Sequence, residues 1–216
     1  FESYPIKSNF KSRPISTAWH SEYPLFAVST SNGVVSCYNE EGDRQDEINL
    51  SRSCACTIVT WHPTERILCT GWKDGDIHVY NNVDHSHKQV SQGSGDVSHI
   101  GNTITAMKWT PDGKRMMTAD SGGIIGVWEL NNRGRIVLIA FHNTGKRVTQ
   151  LTNDQITFKK MDSTRNSESG NTSGGGAGSG TSGADTTMID VDSWMFFFTG
   201  DDGLLYMVDD SGVYHS

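Results

Sequence analysis

Short runs of alternating apolar and polar residues, punctuated by Gly, Pro, Asn and Asp, recur along this chain. Alternation puts every second side chain on one face, the period of a half-buried strand. The first run carries Ile15, Ala18 and Trp19 inward and ends at His20. Pro24 breaks the chain before a second run at residues 25–29, and Asn32-Gly33 then turns it into a third at residues 34–38. Asn-Gly tolerates positive φ at both residues, so a two-residue type I′ hairpin turn is expected here. Residues 40–43 form a further turn, and residues 45–50 read as a polar outer strand.

The same cycle then repeats. In the second copy, His62-Pro63-Thr64 ends the first run, because Pro cannot donate to a strand ladder. Residues 67–72, the turn Asp74-Gly75 and residues 77–80 follow, with residues 88–92 as the outer strand. The third copy has Thr110-Pro111-Asp112-Gly113 as its first turn, residues 116–119, Gly122-Gly123, residues 124–128, and an outer strand at residues 135–141. Three landmarks keep step. The first Trp stands at positions 19, 61 and 109, the turn glycine at 33, 75 and 123, and the closing aromatic at Tyr38, Tyr80 and Trp128; each series is spaced by 42 and then 48. A period of roughly 40–45 residues built from short strands predicts an all-β, WD40-type β-propeller.

A fourth copy is present but interrupted. Gln150-Leu151 and residues 156–158 supply its first strand. Residues 163–187 are then almost wholly Ser, Gly, Thr, Asn and Asp, and residues 173–183 carry nothing to bury, so a flexible insertion is expected there. The pattern resumes in the apolar run 194–198, the turn Asp202-Gly203 and residues 204–208, and the chain stops at Ser216 before any outer strand is evident. The blades are therefore expected at about 15–50, 57–92, 103–142 and 147–216. A blade is too thin to bury both faces alone, so the arc is expected to be an incomplete ring, part of a larger propeller. The start at Phe1 rather than Met agrees with a chain that is part of a longer product.

Composition narrows the function. A net charge of -7 argues against a nucleic-acid footprint and against an anionic membrane surface. The longest apolar run falls far short of the roughly 18–20 residues a membrane helix needs, and the N-terminal residues lack the apolar core of a signal peptide. Cys37, Cys54, Cys56 and Cys69 form no CxxC pair and read as ordinary thiols of a reducing compartment. His20 and His62 follow equivalent tryptophans, so the repeat places them. His85-Ser86-His87 has no third metal ligand close in sequence, and Lys146-Arg147 with Lys159-Lys160 is too sparse to track phosphates. Asp201-Asp202 and Asp209-Asp210 are carboxylate pairs, but Asp202, like Asp74, falls in a turn where Asp-Gly is expected. There is no phosphate loop, nucleophile elbow or HExxH. No catalytic residue, cofactor or metal is expected. The positions that matter are the structural repeat residues Trp19, Trp61, Trp109, Asn32, Gly33, Asp74, Gly75, Gly122, Gly123, Asp202, Gly203, Tyr38, Tyr80 and Trp128. Trp72 and Trp194 are candidate interface anchors, although core packing suits tryptophans at repeat positions better.

The closings Tyr38-Asn39, Tyr80-Asn81 and Trp128-Glu129 depart from the Trp-Asp usual in such repeats. The spelling of residues 60–64 and 71–81, of residues 15–20 and 24–28, and of Leu130-Asn131-Asn132-Arg133-Gly134-Arg135 resembles the N-terminal WD40 region of the intraflagellar transport protein 140 family. The resemblance covers most of residues 15–150 and resumes at about 194–208. It implies a rigid, non-catalytic docking platform in a subunit of the intraflagellar transport A complex. That complex serves retrograde transport and the entry of membrane proteins into cilia. The implied partners are the other subunits of the complex and adaptors for ciliary membrane-protein cargo, in a hetero-oligomer at the ciliary base and in the cilium. The alternative is a WD40 adaptor or substrate receptor of a ubiquitin ligase or a vesicle coat.

Overall fold

The computed structural model describes residues 11–92, 98–131, 133–161, 188–211 and 213–215. Among these the chain forms only strands, arranged in four sheets of four. The first sheet holds β1 (Pro14–Trp19), β2 (Phe26–Thr30), β3 (Val34–Tyr38) and β4 (Arg44–Ser51). The second holds β5 (Cys56–Trp61), β6 (Ile67–Trp72), β7 (Ile77–Asn81) and β8 (Ser86–Gln89). The third holds β9 (Ile104–Trp109), β10 (Arg115–Asp120), β11 (Ile124–Leu130) and β12 (Ile136–Asn143). The fourth holds β13 (Val148–Met161), β14 (Met188–Gly200), β15 (Leu205–Asp209) and β16 (Tyr214–His215). Every sheet is an antiparallel meander in chain order, which is the blade of a propeller. The innermost strands β1, β5, β9 and β13 adjoin one another in sequence.

Each blade buries one face on the next. Leu25, Ala27, Val35 and Cys37 pack against Val59, Trp61, Leu68 and Trp72 between the first two blades. Cys69, Ile77, Ile104, Met107, Met116 and Trp128 fill the second gap, and Ala106, Met117, Ile125, Phe196 and Phe198 the third. Propeller stacking thus accounts for why sequence repeats too thin to fold alone form one body.

The β13–β14 hairpin differs from its counterparts. Its strands are 14 and 13 residues long and stay paired from Val148↔Gly200 to Met161↔Met188. The two first-strand segments expected for the fourth copy are therefore one strand. The Ser/Gly-rich tract at residues 163–187 falls at the tip of this hairpin and lies outside the described residues. Two expectations about outer strands need correction. The outermost strand of the second blade begins earlier, at Ser86, because His87 pairs with Tyr80 across β7 and β8. The fourth blade has an outer strand after all, through the pairing of Met207 with His215 and Val208 with Tyr214.

Candidate functional site

The hairpin turns are not type I′. Only the glycine has positive φ, 80° at Gly33, 89° at Gly75, 91° at Gly123 and 74° at Gly203. The Gly33 amide donates to the Thr30 carbonyl at 3.0 Å, and the Gly75 amide to the Trp72 carbonyl at 3.1 Å. This is a β-turn closed by a left-handed glycine, the longer hairpin loop that Asn-Gly and Asp-Gly also satisfy. Each turn glycine has a second role. A Cβ at Gly33 would strike the carbonyls of Arg52 and Cys54, one at Gly75 the His99 carbonyl, and one at Gly123 the Lys146 backbone. These atoms belong to the segments that lead into the next blade. At Gly203 there is open space.

A repeated bulge does similar work at the inner end. The inner strands skip register between Pro14 and Ser16, Cys56 and Ile58, and Val148 and Gln150, and β9 does so around Thr105. The bulged residue is unpaired and its side chain is re-aimed. Thr57 donates its hydroxyl to the Ile104 carbonyl at 2.6 Å, and Thr105 donates to the Val148 carbonyl at 2.8 Å, each joining the following blade. Thr149, the same position in the fourth blade, is exposed and reaches only Thr199 of its own sheet. The imidazoles bridge in the same sense: His20 Nε2 meets the Glu65 carbonyl at 2.9 Å and His62 Nε2 the Gly113 carbonyl at 2.8 Å.

Trp61 and Trp109 are buried, and the Trp61 indole N–H donates back to the Ala18 carbonyl of the first blade at 3.2 Å. Among the described residues no blade precedes Trp19, and it stands 59% exposed, against 6% for Trp61, its ring leaning on Phe26. The core role expected at this repeat position therefore fails for Trp19 in this arc. All three tryptophans, with Pro63, Pro111 and Lys108, line one cavity of about 260 Å³ where the inner strands end. The closing aromatics Tyr38, Tyr80 and Trp128 are buried, as is Trp72; Trp194 is half-buried.

Sequence reasoning missed the polar centre of the third blade. His99 Nδ1 meets Asp120 Oδ2 at 2.8 Å, and His99 Nε2 meets Thr118 Oγ1 at 2.7 Å. The Trp128 indole N–H donates to the same hydroxyl at 2.8 Å. An indole can only donate, so the Thr118 hydroxyl oxygen accepts from Trp128, while the His99 ring joins that hydroxyl to the Asp120 carboxylate. Asp120 Oδ1 accepts the amides of Gly122 and Ile124, which fixes the turn. All four side chains are fully buried. Gln92 ties this network to the second blade, donating to the Gly75 carbonyl and accepting the His99 amide, both at 2.8 Å. Gly126 leaves room for it, since a Cβ there would crowd the Trp128 nitrogen, the Thr118 hydroxyl and Phe141. The legible signal was Thr118, Asp120 and Trp128 at fixed offsets from the Gly122-Gly123 turn, with a His well before them.

The remaining candidates are bound into structure. Arg52 holds Asp74 with both terminal nitrogens, contacts Asp76 at 2.6 Å and lies over the Trp72 ring. His87 stacks on His78 with ring nitrogens 2.8 Å apart, and His85 contacts the Tyr80 hydroxyl at 3.0 Å. His78 falls from the ordinary 6.5 to about 4, first through burial and then through the Arg52 charge. Asp202 accepts the Tyr206 hydroxyl at 2.5 Å. No disulfide joins the four thiols; burial pushes Cys56 up to about 12 and raises Cys37 and Cys69 strongly, so they stay protonated and unreactive. The side chains of Lys159 and Lys160 lie outside the described residues. Among the described residues no group of three or more His, Cys, Asp or Glu is placed to hold a metal.

A family model described as the IFT140 first beta-propeller matches residues 3–216. The chain belongs to this family. It is a β-propeller scaffold of intraflagellar transport, and the family associates it with cilia. Two solved structures share the fold at low identity. The crystal structure of the computationally designed Ika4 protein aligns with a TM-score of 0.59 at 14% identity, over 96% of this chain and 99% of Ika4. Sqt1 of Saccharomyces cerevisiae aligns with a TM-score of 0.64 at 9% identity, over 95% of this chain. The chain spans 47% of Sqt1.

Proposed function

We propose that this propeller arc is a non-catalytic docking platform in a subunit of the intraflagellar transport A complex, acting in retrograde ciliary transport and in the entry of membrane proteins into cilia. Its partners are the other subunits of that complex and the adaptors of ciliary membrane-protein cargo, and it works at the ciliary base and along the cilium. The observation that carries this reading is the match of the IFT140 first beta-propeller model over residues 3–216. The chemistry agrees with it: the candidate histidines and turn carboxylates are engaged in turns and blade-to-blade contacts, so they serve rigidity.

The blades divide the chain at about 15–50, 57–92, 103–142 and 147–216, and the arc belongs to a larger ring. Support comes from contacts that join neighbouring blades within the arc and that, among the described residues, are not made at its two ends. Thr149 lacks the carbonyl that Thr57 and Thr105 find, Gly203 lacks the backbone that covers Gly33, Gly75 and Gly123, and Leu205 and Trp19 stand 66% and 59% exposed. The test of function is removal of the propeller from the protein in ciliated cells, with moving particles tracked in both directions. Retrograde events should fall and membrane cargo should fail to enter; normal retrograde traffic and cargo content would refute the reading.

A further inference from the structure

The outer rim between the second and third blades holds a groove that neither the repeat nor the transport reading uses. Ile67, Val90 and Ile136 give it an apolar floor continuous with the core between these blades, and its volume is about 340 Å³. Lys88, Arg133 and Arg135 line it from two blades and are exposed. None of the three has an ion pair or hydrogen-bond partner for its side chain among the described residues. Asp84 is the single carboxylate of the lining. A chain with a net charge of -7 thus gathers three cations around one apolar slot, with Lys88 acting on Asp84 and the two arginines facing no carboxylate of the lining.

The cations on the third blade are held in place. Asn131 Oδ1 accepts the amides of Arg133 and Arg135, each at 3.0 Å, and the Asn131 amide donates to the Arg135 carbonyl at 2.9 Å. The Gly134 amide closes the same turn on the Asn131 carbonyl, and Gly134 has a φ of 67°. Hydrogen bonds to Asn131 thus hold the backbone of Arg133, Gly134 and Arg135, which lowers the cost of placing the two guanidinium groups. The same turn closes on Asn39 in the first blade and on Asp209 in the fourth, and in the third blade it carries Arg133 and Arg135 at the groove.

We infer that this groove docks a short acidic segment of a partner protein, with an apolar side chain on the Ile67–Val90–Ile136 floor and flanking Asp or Glu carboxylates on Lys88, Arg133 and Arg135. Charge complementarity selects the acidic residues, and Arg in particular pairs carboxylates through two parallel hydrogen bonds. The apolar floor selects a peptide over a polyanion such as RNA, whose phosphates would leave it empty. The net charge of -7 also disfavours a long polyanion. The inference is independent of which complex the protein joins.

The test uses the full-length protein and a short-peptide display library, with fluorescein-labelled copies of the selected peptides measured by anisotropy. Selected peptides should carry Asp or Glu on both sides of Leu, Ile or Phe, and added salt should weaken them. Arg133→Glu with Arg135→Glu should weaken binding by about tenfold or more, a change that rim and buried charges both produce when reversed. Lys88→Glu, on the other blade, should act in the same direction and covers the case in which the double variant loses its unfolding midpoint. The inference is overturned if selection shows no acidic bias, if folded variants bind as well as the parent, or if a labelled single-stranded RNA binds with the same dependence on these residues.

Discussion

Thr118→Val gives the sharpest test of how the third blade is held. Val matches Thr in shape, so the change deletes one hydroxyl and leaves the packing. That hydroxyl accepts from the Trp128 indole at 2.8 Å and meets His99 Nε2 at 2.7 Å, and all three residues are fully buried. Each buried polar group left without a partner costs about 1–3 kcal/mol, so two orphans cost about 2–6 kcal/mol together. For a domain of about this size each kcal/mol lowers Tm by about 2–4 °C, so Thr118→Val should lower it by about 4–24 °C. Thr70→Val is the internal control. In the second blade Thr70 accepts the Trp72 indole at 2.9 Å and faces the His78 carbonyl at 3.4 Å but meets no imidazole, so one side chain is orphaned and the loss should be about half as large, near 2 kcal/mol. Thr118→Ser keeps the hydroxyl and should cost only about 1 kcal/mol for the missing methyl. Urea unfolding followed by circular dichroism gives the three values. A loss for Thr118→Val no larger than for Thr118→Ser would refute the assignment of that hydroxyl as a shared hinge of the network.

Gly75→Ala pairs positive φ, about 1–2 kcal/mol, with a collision against the His99 carbonyl, about 1–3 kcal/mol more, whereas Gly203→Ala carries the φ cost alone. Thermal unfolding of the two variants of this chain should therefore differ, and equal midpoints would mean that the linkers do not clamp the turns. Stability should fall as pH drops from about 6.5 towards 4, because burial holds His62, His78 and His87 below their unfolded value. The unfolded chain then binds more protons than the folded one, so the contribution is complete above pH 6.5 and is lost on acidification; flat urea midpoints between pH 7 and 4.5 would count against it. Shortening residues 173–183 should leave the unfolding midpoint nearly unchanged, since loop length enters only logarithmically. A large drop would mean that this tract packs on the blades.

Propeller architecture was legible because three landmarks moved in step. Trp61, Gly75 and Tyr80 each sit where their repeat partners sit, and period-2 runs marked the strands between them. Two features were hidden for physical reasons. Exposure of Trp19 depends on whether a blade precedes it, and repeat spacing treats it as equal to Trp61. The His99–Asp120–Thr118–Trp128 network spans three separate segments and occurs complete in one blade among the described residues, so no repeat announces it. Its nearest echo, Trp72 on Thr70, uses a tryptophan shifted along the blade. Asn-Gly and Asp-Gly turns fixed where the hairpins lie, but two turn geometries accept the same dipeptide, and Gly203 takes the same one with no linker against it, so the dipeptide alone does not tell them apart.

The scaffold account is tested most directly by quantitative co-purification. The full-length protein is tagged in ciliated cells, and its stable partners are counted by mass spectrometry. Recovery of the other intraflagellar transport A subunits in equal amounts is the result the account predicts. A ligase core or a vesicle coat in their place would contradict the transport assignment, while leaving the propeller intact.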